Sequence, residues 1–93
     1  MTGGINDILK LHGKVALVTG GGAGIGRAIA ELYVEAGMSV VIAEIDTARA
    51  REVAAAMPDV LVVEADVRDE AATARVMRKI ETKHGRLDVL VNN

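Results

Sequence analysis

Five glycines fall within the eight residues from Thr19 to Gly26 (TGGGAGIG), directly after the apolar run Val15-Ala16-Leu17-Val18. Fixing glycine costs more backbone entropy than fixing any other residue, so this density requires a turn with φ > 0 or the close approach of something bulky. The apolar run reads as a buried strand. Beyond the glycines, Ile25, Ile29, Leu32 and Ala36 recur at helical spacing and predict an inward helix face, with Gly37 as the C-terminal stop.

Strand and helix then alternate. Ser39 to Ala43 (SVVIA) is uninterrupted and apolar, as strands buried on both faces are. Asp46 reads as the cap of an alanine-rich helix from Thr47 to Met57, and Pro58, the only proline, stands where that helix has ended. Val60 to Val63 makes a third strand. Asp69 and Glu70 open a helix running to about Lys83, with Ala72, Val76 and Ile80 inward and Gly85 as its stop, and Leu87 to Val91 makes a fourth strand. Hydrophobic residues make up 51% of the chain and aromatics only 1%, so the core must be thin layers of Val, Ile, Leu, Ala and Met. Strands sandwiched by helices suit that composition.

The expected fold class is α/β: a partial Rossmann-type doubly wound parallel sheet of four strands in the order 3-2-1-4, with helices on both faces. The first two helices would cover one face and the third the other. Ligands of such sheets bind outside the carboxyl ends of the strands, at the switch point between strands 1 and 4, where the glycines lie. Ninety-three residues allow one domain at most. Residues 1–10 read as a flexible N-terminal arm and 11–93 as the N-terminal half of a dinucleotide-binding Rossmann domain, ending after strand 4.

A formal net charge of -2 leaves no basic footprint for nucleic acid. Without cysteine there is no disulfide framework or thiolate nucleophile, and His12 and His84 are too far apart to suggest a local metal pair, so no metal ligand is assigned. Asp7 and Lys10 interrupt the N-terminal apolar stretch, and the longest uncharged run, Val15 to Gly26, is short and rich in glycine. No membrane segment is expected, and the location read from these features is cytoplasmic.

Spacing discriminates among the phosphate-binding loops. The loop of nucleotide triphosphatases needs Gly, four residues, then Gly-Lys-Ser/Thr; Gly21 and Gly26 match the interval, but Arg27 and Ala28 replace the lysine and the hydroxyl. Gly-x-Gly-x-x-Gly fails from Gly20, Gly21 and Gly22 alike, because Ile25, Ala23 and Arg27 fall on required glycines. Thr-Gly-x-x-x-Gly-x-Gly fits, through Thr19, Gly20, Gly24 and Gly26. A tight turn that binds nothing is the plain alternative, although such a turn needs one or two glycines rather than this array.

With this motif the chain resembles the single-domain branch of the short-chain dehydrogenase/reductase family; the extended branch would need glycine at Ala23. Asp66-Val67 after strand 3 and LDVLVNN at Leu87 to Asn93 are similar to two further family motifs, so the resemblance runs from about Leu11 to the end. It implies an oxidoreductase that moves hydride between a nicotinamide coenzyme and an alcohol or carbonyl substrate, and a homo-oligomer at full length. Gly20, Gly22, Gly24, Ile25 and Gly26 would form the loop and first helical turn that meet the pyrophosphate. The resemblance further implies that the Asp66 carboxylate contacts the adenine amino group, the Val67 backbone the ring edge, and Asn93 the adenosine ribose. Hydrogen bonding at the sheet end is the other reading of Asn92-Asn93.

Glu44 lies 24 positions past Gly20 (44 minus 20), where dinucleotide folds place an acid on the ribose hydroxyls; a solvated strand end is the alternative. An acid there opposes a 2′-phosphate, and no Lys or Arg follows until Arg49, so NAD is expected over NADP. The family's Ser, Tyr-x-x-x-Lys pair and assisting Asn have no match. Tyr33, the only tyrosine, has Gly37 four residues on and reads as a helix-surface or packing residue; Ser39, the only serine, opens a strand. His84, in the last turn of a helix, reads as a solvated cation suited to the dipole. No catalytic residue is therefore assigned, and a non-catalytic dinucleotide-binding or interaction fragment, without turnover on its own, remains the alternative. Open sheet surface beside strand 4 would leave such a fragment unstable or self-associating.

Overall fold

A computed structural model describes residues 10–93; the expected N-terminal arm lies outside the described residues except for Lys10, which is helical. The elements are β1 (Val15–Thr19), α1 (Gly24–Glu35), β2 (Ser39–Glu44), α2 (Thr47–Ala56), β3 (Leu61–Glu64), α3 (Glu70–His84) and β4 (Val89–Asn92). They form one four-stranded sheet in the order β3-β2-β1-β4. Every pairing is parallel, with Leu17 opposite Val41 on one side and Leu90 on the other, and Ile42 opposite Val62. This is the expected doubly wound order.

Because side chains alternate across a strand, each face takes every second residue. Val15, Leu17, Val41, Ala43 and Val63 pack with Ala72, Val76 and Ile80 of α3. Ala16, Val18, Val40 and Ile42 pack with Ala30 of α1 and Val53 of α2. Two helices thus cover one face and the third covers the other, and β1 and β2, bearing helices on both sides, are the most deeply buried strands. The expected inward residues of α3 are all buried.

The inward face predicted for α1 needs correction. Ile25 is 74% exposed and Leu32 63% exposed, while Gly26 and Ala30 are buried and Ile29 and Tyr33 half-buried against the core. The helix enters close against the end of β1: a Cβ on Gly26 would collide with the Gly20 carbonyl oxygen and lie 2.8 Å from the Asn93 side chain. Only small residues fit at that contact, so Ile25 and Leu32 lie on other faces and Ile29 and Tyr33 pack at its flank.

Strand bounds shift by one or two residues at β3 and β4. At β4 the entry is fixed by Asp88, whose backbone N–H donates to the Val15 carbonyl at 2.9 Å while its carboxylate accepts the Val15 N–H at 2.9 Å. The Arg86 guanidinium and then that Val15 N–H hold the Asp88 carboxyl below its ordinary value. Among the described residues β4 is bonded to β1 alone, and Leu90, on the same sheet face as Leu17, is 55% exposed.

His84 departs from the solvated reading. It is half-buried, its Nε2 is enclosed without a hydrogen-bond partner among the described residues, and burial, followed by the Lys83 charge, lowers its pKa.

Candidate functional site

The three helix N-termini are built differently. Asp46 caps α2 by accepting the Arg49 N–H at 2.9 Å, and Asp69 caps α3 by accepting the Ala71 N–H at 3.0 Å. The N-cap of α1 is Ala23, which has no side-chain acceptor, and the first turn of α1 holds no acidic residue. The first backbone N–H groups of any helix lack intrahelical partners and carry the positive end of its dipole. At α1 alone among these three, that end is left open.

Glycines keep it open. Gly24 has φ +60°, a left-handed conformation that a side chain strains, and a Cβ there would meet nothing within 4 Å. The space above the helix start is therefore free for an approaching group. Gly20, also at positive φ, turns the chain at the end of β1, and its N–H donates to the Ala43 carbonyl at 2.8 Å. Arg27, where a triphosphatase loop would place lysine, is turned toward the helices, paired with Glu31 at 3.1 Å and Glu52 at 3.2 Å.

Glu44 does not end β2 in solvent. It is 4% exposed; Oε1 accepts the Gly22 N–H at 2.9 Å and Oε2 accepts the Asp46 N–H at 3.1 Å. One carboxylate therefore ties the glycine loop to the start of α2. A Cβ on Gly22 would stand 2.5 Å from Oε1, so glycine is required there for the contact itself. A carboxylate offers about four acceptor positions, and two of these are taken.

Beyond the carboxyl ends of all four strands lies a cleft of about 400 Å³. Of the residues singled out from the sequence, Gly20, Asp66, Val67 and Asn93 line it. Glu44 and Gly22 sit behind its β2 side, whereas Gly24 and Ile25 are exposed at the helix start with Gly26 buried beneath. Asn93 donates its backbone N–H to Thr19 Oγ1 at 3.1 Å and its side-chain amide to the Gly20 carbonyl at 3.4 Å; the Thr19 hydroxyl also lies 3.3 Å from Asn92 Oδ1. The sheet-end bonding weighed for Asn92-Asn93 is thus present, and it holds the rim of the cleft.

Sequence reasoning passed over Ile45 and Arg68, which line the same cleft. The Arg68 guanidinium and backbone N–H hold the Asp66 carboxyl below its ordinary value. The available signal was proximity: Ile45 follows the strand-end acid, and Arg68 stands two residues after Asp66.

The uncapped start of α1, the glycine turn, the half-buried Asp66 carboxylate in the cleft and the Glu44 carboxylate buried behind it are the groups available to an anion and to hydroxyls. These polar groups fit a dinucleotide: amides that donate to a diphosphate, carboxylates that accept from ribose hydroxyls and a base amino group.

The sequence profile of the short chain dehydrogenase family matches residues 14–93. An uncharacterized oxidoreductase of Thermotoga maritima is 51% identical over 87 residues, spanning 89% of this chain and 34% of that protein. Sorbitol dehydrogenase of Cereibacter sphaeroides is 43% identical over 86 residues, spanning 91% and 34%. Among solved structures, 3-ketoacyl-(acyl-carrier-protein) reductase from Brucella melitensis complexed with NADH superposes with a TM-score of 0.81 at 38% identity, over 86% of this chain and 33% of that one. The chain spans about a third of the length of each of these proteins.

Proposed function

Because the chain belongs to the short chain dehydrogenase family, we propose that it is the NAD-binding portion of an oxidoreductase acting on an alcohol/carbonyl pair. The observation that carries this reading is the uncapped start of α1 beneath an unobstructed Gly24. The backbone N–H groups of Gly24, Ile25 and Gly26 bind the pyrophosphate, where the helix dipole favours negative charge. Glu44 accepts from the adenosine ribose hydroxyls while it holds the Gly22 loop. Asp66 accepts from the adenine amino group, the Val67 backbone meets the ring edge, and Asn93 reaches the ribose from the rim.

NAD is preferred to NADP because the Glu44 carboxylate stands where a 2′-phosphate would bring like charge. The coenzyme, when bound, supplies or accepts the hydride. The residues of this chain bind and orient it; the groups that exchange a proton with substrate have no counterpart among them, and turnover belongs to the full-length protein.

Titration of the full-length protein with NADH, followed by coenzyme fluorescence, tests the reading. Gly24→Val forces a β-branched residue into a left-handed conformation, at a cost of roughly 1–2 kcal/mol or more, and fills the space above the amides. The expected result is loss of NADH binding with the fold retained by circular dichroism; unchanged affinity overturns the site.

A further inference from the structure

Arg68 holds the Asp66 carboxylate through three hydrogen bonds. Its Nε donates to Oδ1 at 2.9 Å, a terminal guanidinium nitrogen donates to Oδ2 at 2.9 Å, and its backbone N–H donates to Oδ1 at 3.0 Å. Both residues line the cleft, with Val67 between them. The Arg68 side chain is 81% exposed, and exposed ion pairs add little to stability, so the fold has small need of this one. What a planar two-pronged donor does supply is direction. With three of about four acceptor positions occupied, one remains for a ligand.

We propose that Arg68 is a positioning residue for base recognition: it pins the Asp66 carboxylate so that the free acceptor position meets an exocyclic amino group, and the cleft thereby selects adenine over hypoxanthine. The inference rests on the reading that the adenosine end of the coenzyme occupies this cleft. Adenine presents an amino donor beside an acceptor ring nitrogen. Hypoxanthine presents a carbonyl oxygen in place of the amino group and an N–H on the ring. A carboxylate free to swing accepts that ring N–H instead; a pinned one is left facing the carbonyl oxygen, and the mismatch rejects the base.

Dissociation constants for NAD and for nicotinamide hypoxanthine dinucleotide, measured by calorimetry on the full-length protein, provide the test. The unsubstituted protein should prefer NAD by about tenfold or more, as expected when a site built for a hydrogen bond meets a base lacking its donor. Arg68→Ala and Arg68→Lys should both reduce that preference to about two- to threefold, since lysine keeps the charge without the fork. Asp66→Asn should weaken NAD itself. Equal weakening of both dinucleotides in the Arg68 variants, with the ratio kept, overturns the proposal while leaving the base site standing. Retention of the ratio by Arg68→Lys alone assigns the effect to charge and likewise overturns pinning. If Asp66→Asn changes neither constant, the adenosine reading of the cleft falls first.

Discussion

Glu44→Gln separates the two tasks given to one carboxylate. In the structure both oxygens of Glu44 accept backbone N–H groups, from Gly22 at 2.9 Å and Asp46 at 3.1 Å, in a side chain that is almost wholly enclosed. Glutamine preserves the shape but offers one acceptor and one donor, so whichever way its amide is turned, one N–H faces an NH₂. A buried donor left unpaired costs about 1–3 kcal/mol. A destabilisation of about 2 kcal/mol corresponds to a Tm lowered by roughly 4–8 °C in a domain of 150–250 residues. The coenzyme effect has a different origin. A unit charge on a 2′-phosphate at about 5 Å from the carboxylate, with an effective dielectric constant of about 20, is opposed by about 3 kcal/mol, or roughly a hundredfold in affinity. Neutralising Glu44 removes that opposition. Fluorescence titrations with NADH and NADPH should therefore show the NADH preference collapsing from about a hundredfold toward parity, while thermal melts show the lower Tm. A preference that survives the substitution refutes the placement of Glu44 beside the ribose. A Tm that does not fall refutes its role in tethering the loop.

Two further outcomes follow from the same structure. Ala23→Asp gives α1 the cap that Asp46 and Asp69 give α2 and α3; it should raise stability by about 0.5–2 kcal/mol while weakening NADH binding, because the new carboxylate competes for the same amides. Thermal melts paired with titrations check it, and a stabilised protein that binds NADH unchanged contradicts it. For His84, burial and then Lys83 hold the folded-state pKa below the ordinary value of 6.5, so the unfolded chain binds the proton more readily. The associated stability is complete above about pH 6.5 and is lost as the pH falls from there through the lowered folded value; His84→Leu should flatten that part of a denaturant-midpoint profile, and an unaltered slope counts against it.

The sheet was legible because buried parallel strands leave short unbroken apolar runs, and Val15–Val18 and Val40–Ala43 are such runs within β1 and β2. The caps were legible for a local reason as well: Asp46 and Asp69 act within three residues of themselves. The phase of α1 was not. Periodicity weighs the size of apolar side chains, whereas the distance between a helix and a sheet is set by whatever is smallest on the facing side. Here that is Gly26 and Ala30, which carry almost no periodic signal. His84 misled in the same way, since its place in the last turn is a sequence property but its enclosure comes from packing.

Within the site, what the sequence displayed was the glycine array, and what it concealed was the partner of each polar group. Gly22 is indispensable for a reason found 22 residues away, in the Glu44 carboxylate that takes its N–H, and Gly26 for one found at Gly20 and Asn93. Some of the glycines that look like a ligand motif are therefore demanded by the chain's own packing, and among those from Gly20 to Gly26 only Gly24 has both a left-handed backbone and open space above it. That division sharpens the functional argument. A turn needing glycine solely for its own geometry would have no reason to leave the following helix uncapped, since a capping side chain at position 23 contributes about 1 kcal/mol. In this chain Gly24 stays unobstructed and Ala23 offers no acceptor, so the positive end of α1 points into free space at the switch point of the sheet. On the proposed reading, the stability forgone at that helix start is recovered when the pyrophosphate binds, and the missing cap then says more about function than the number of glycines does.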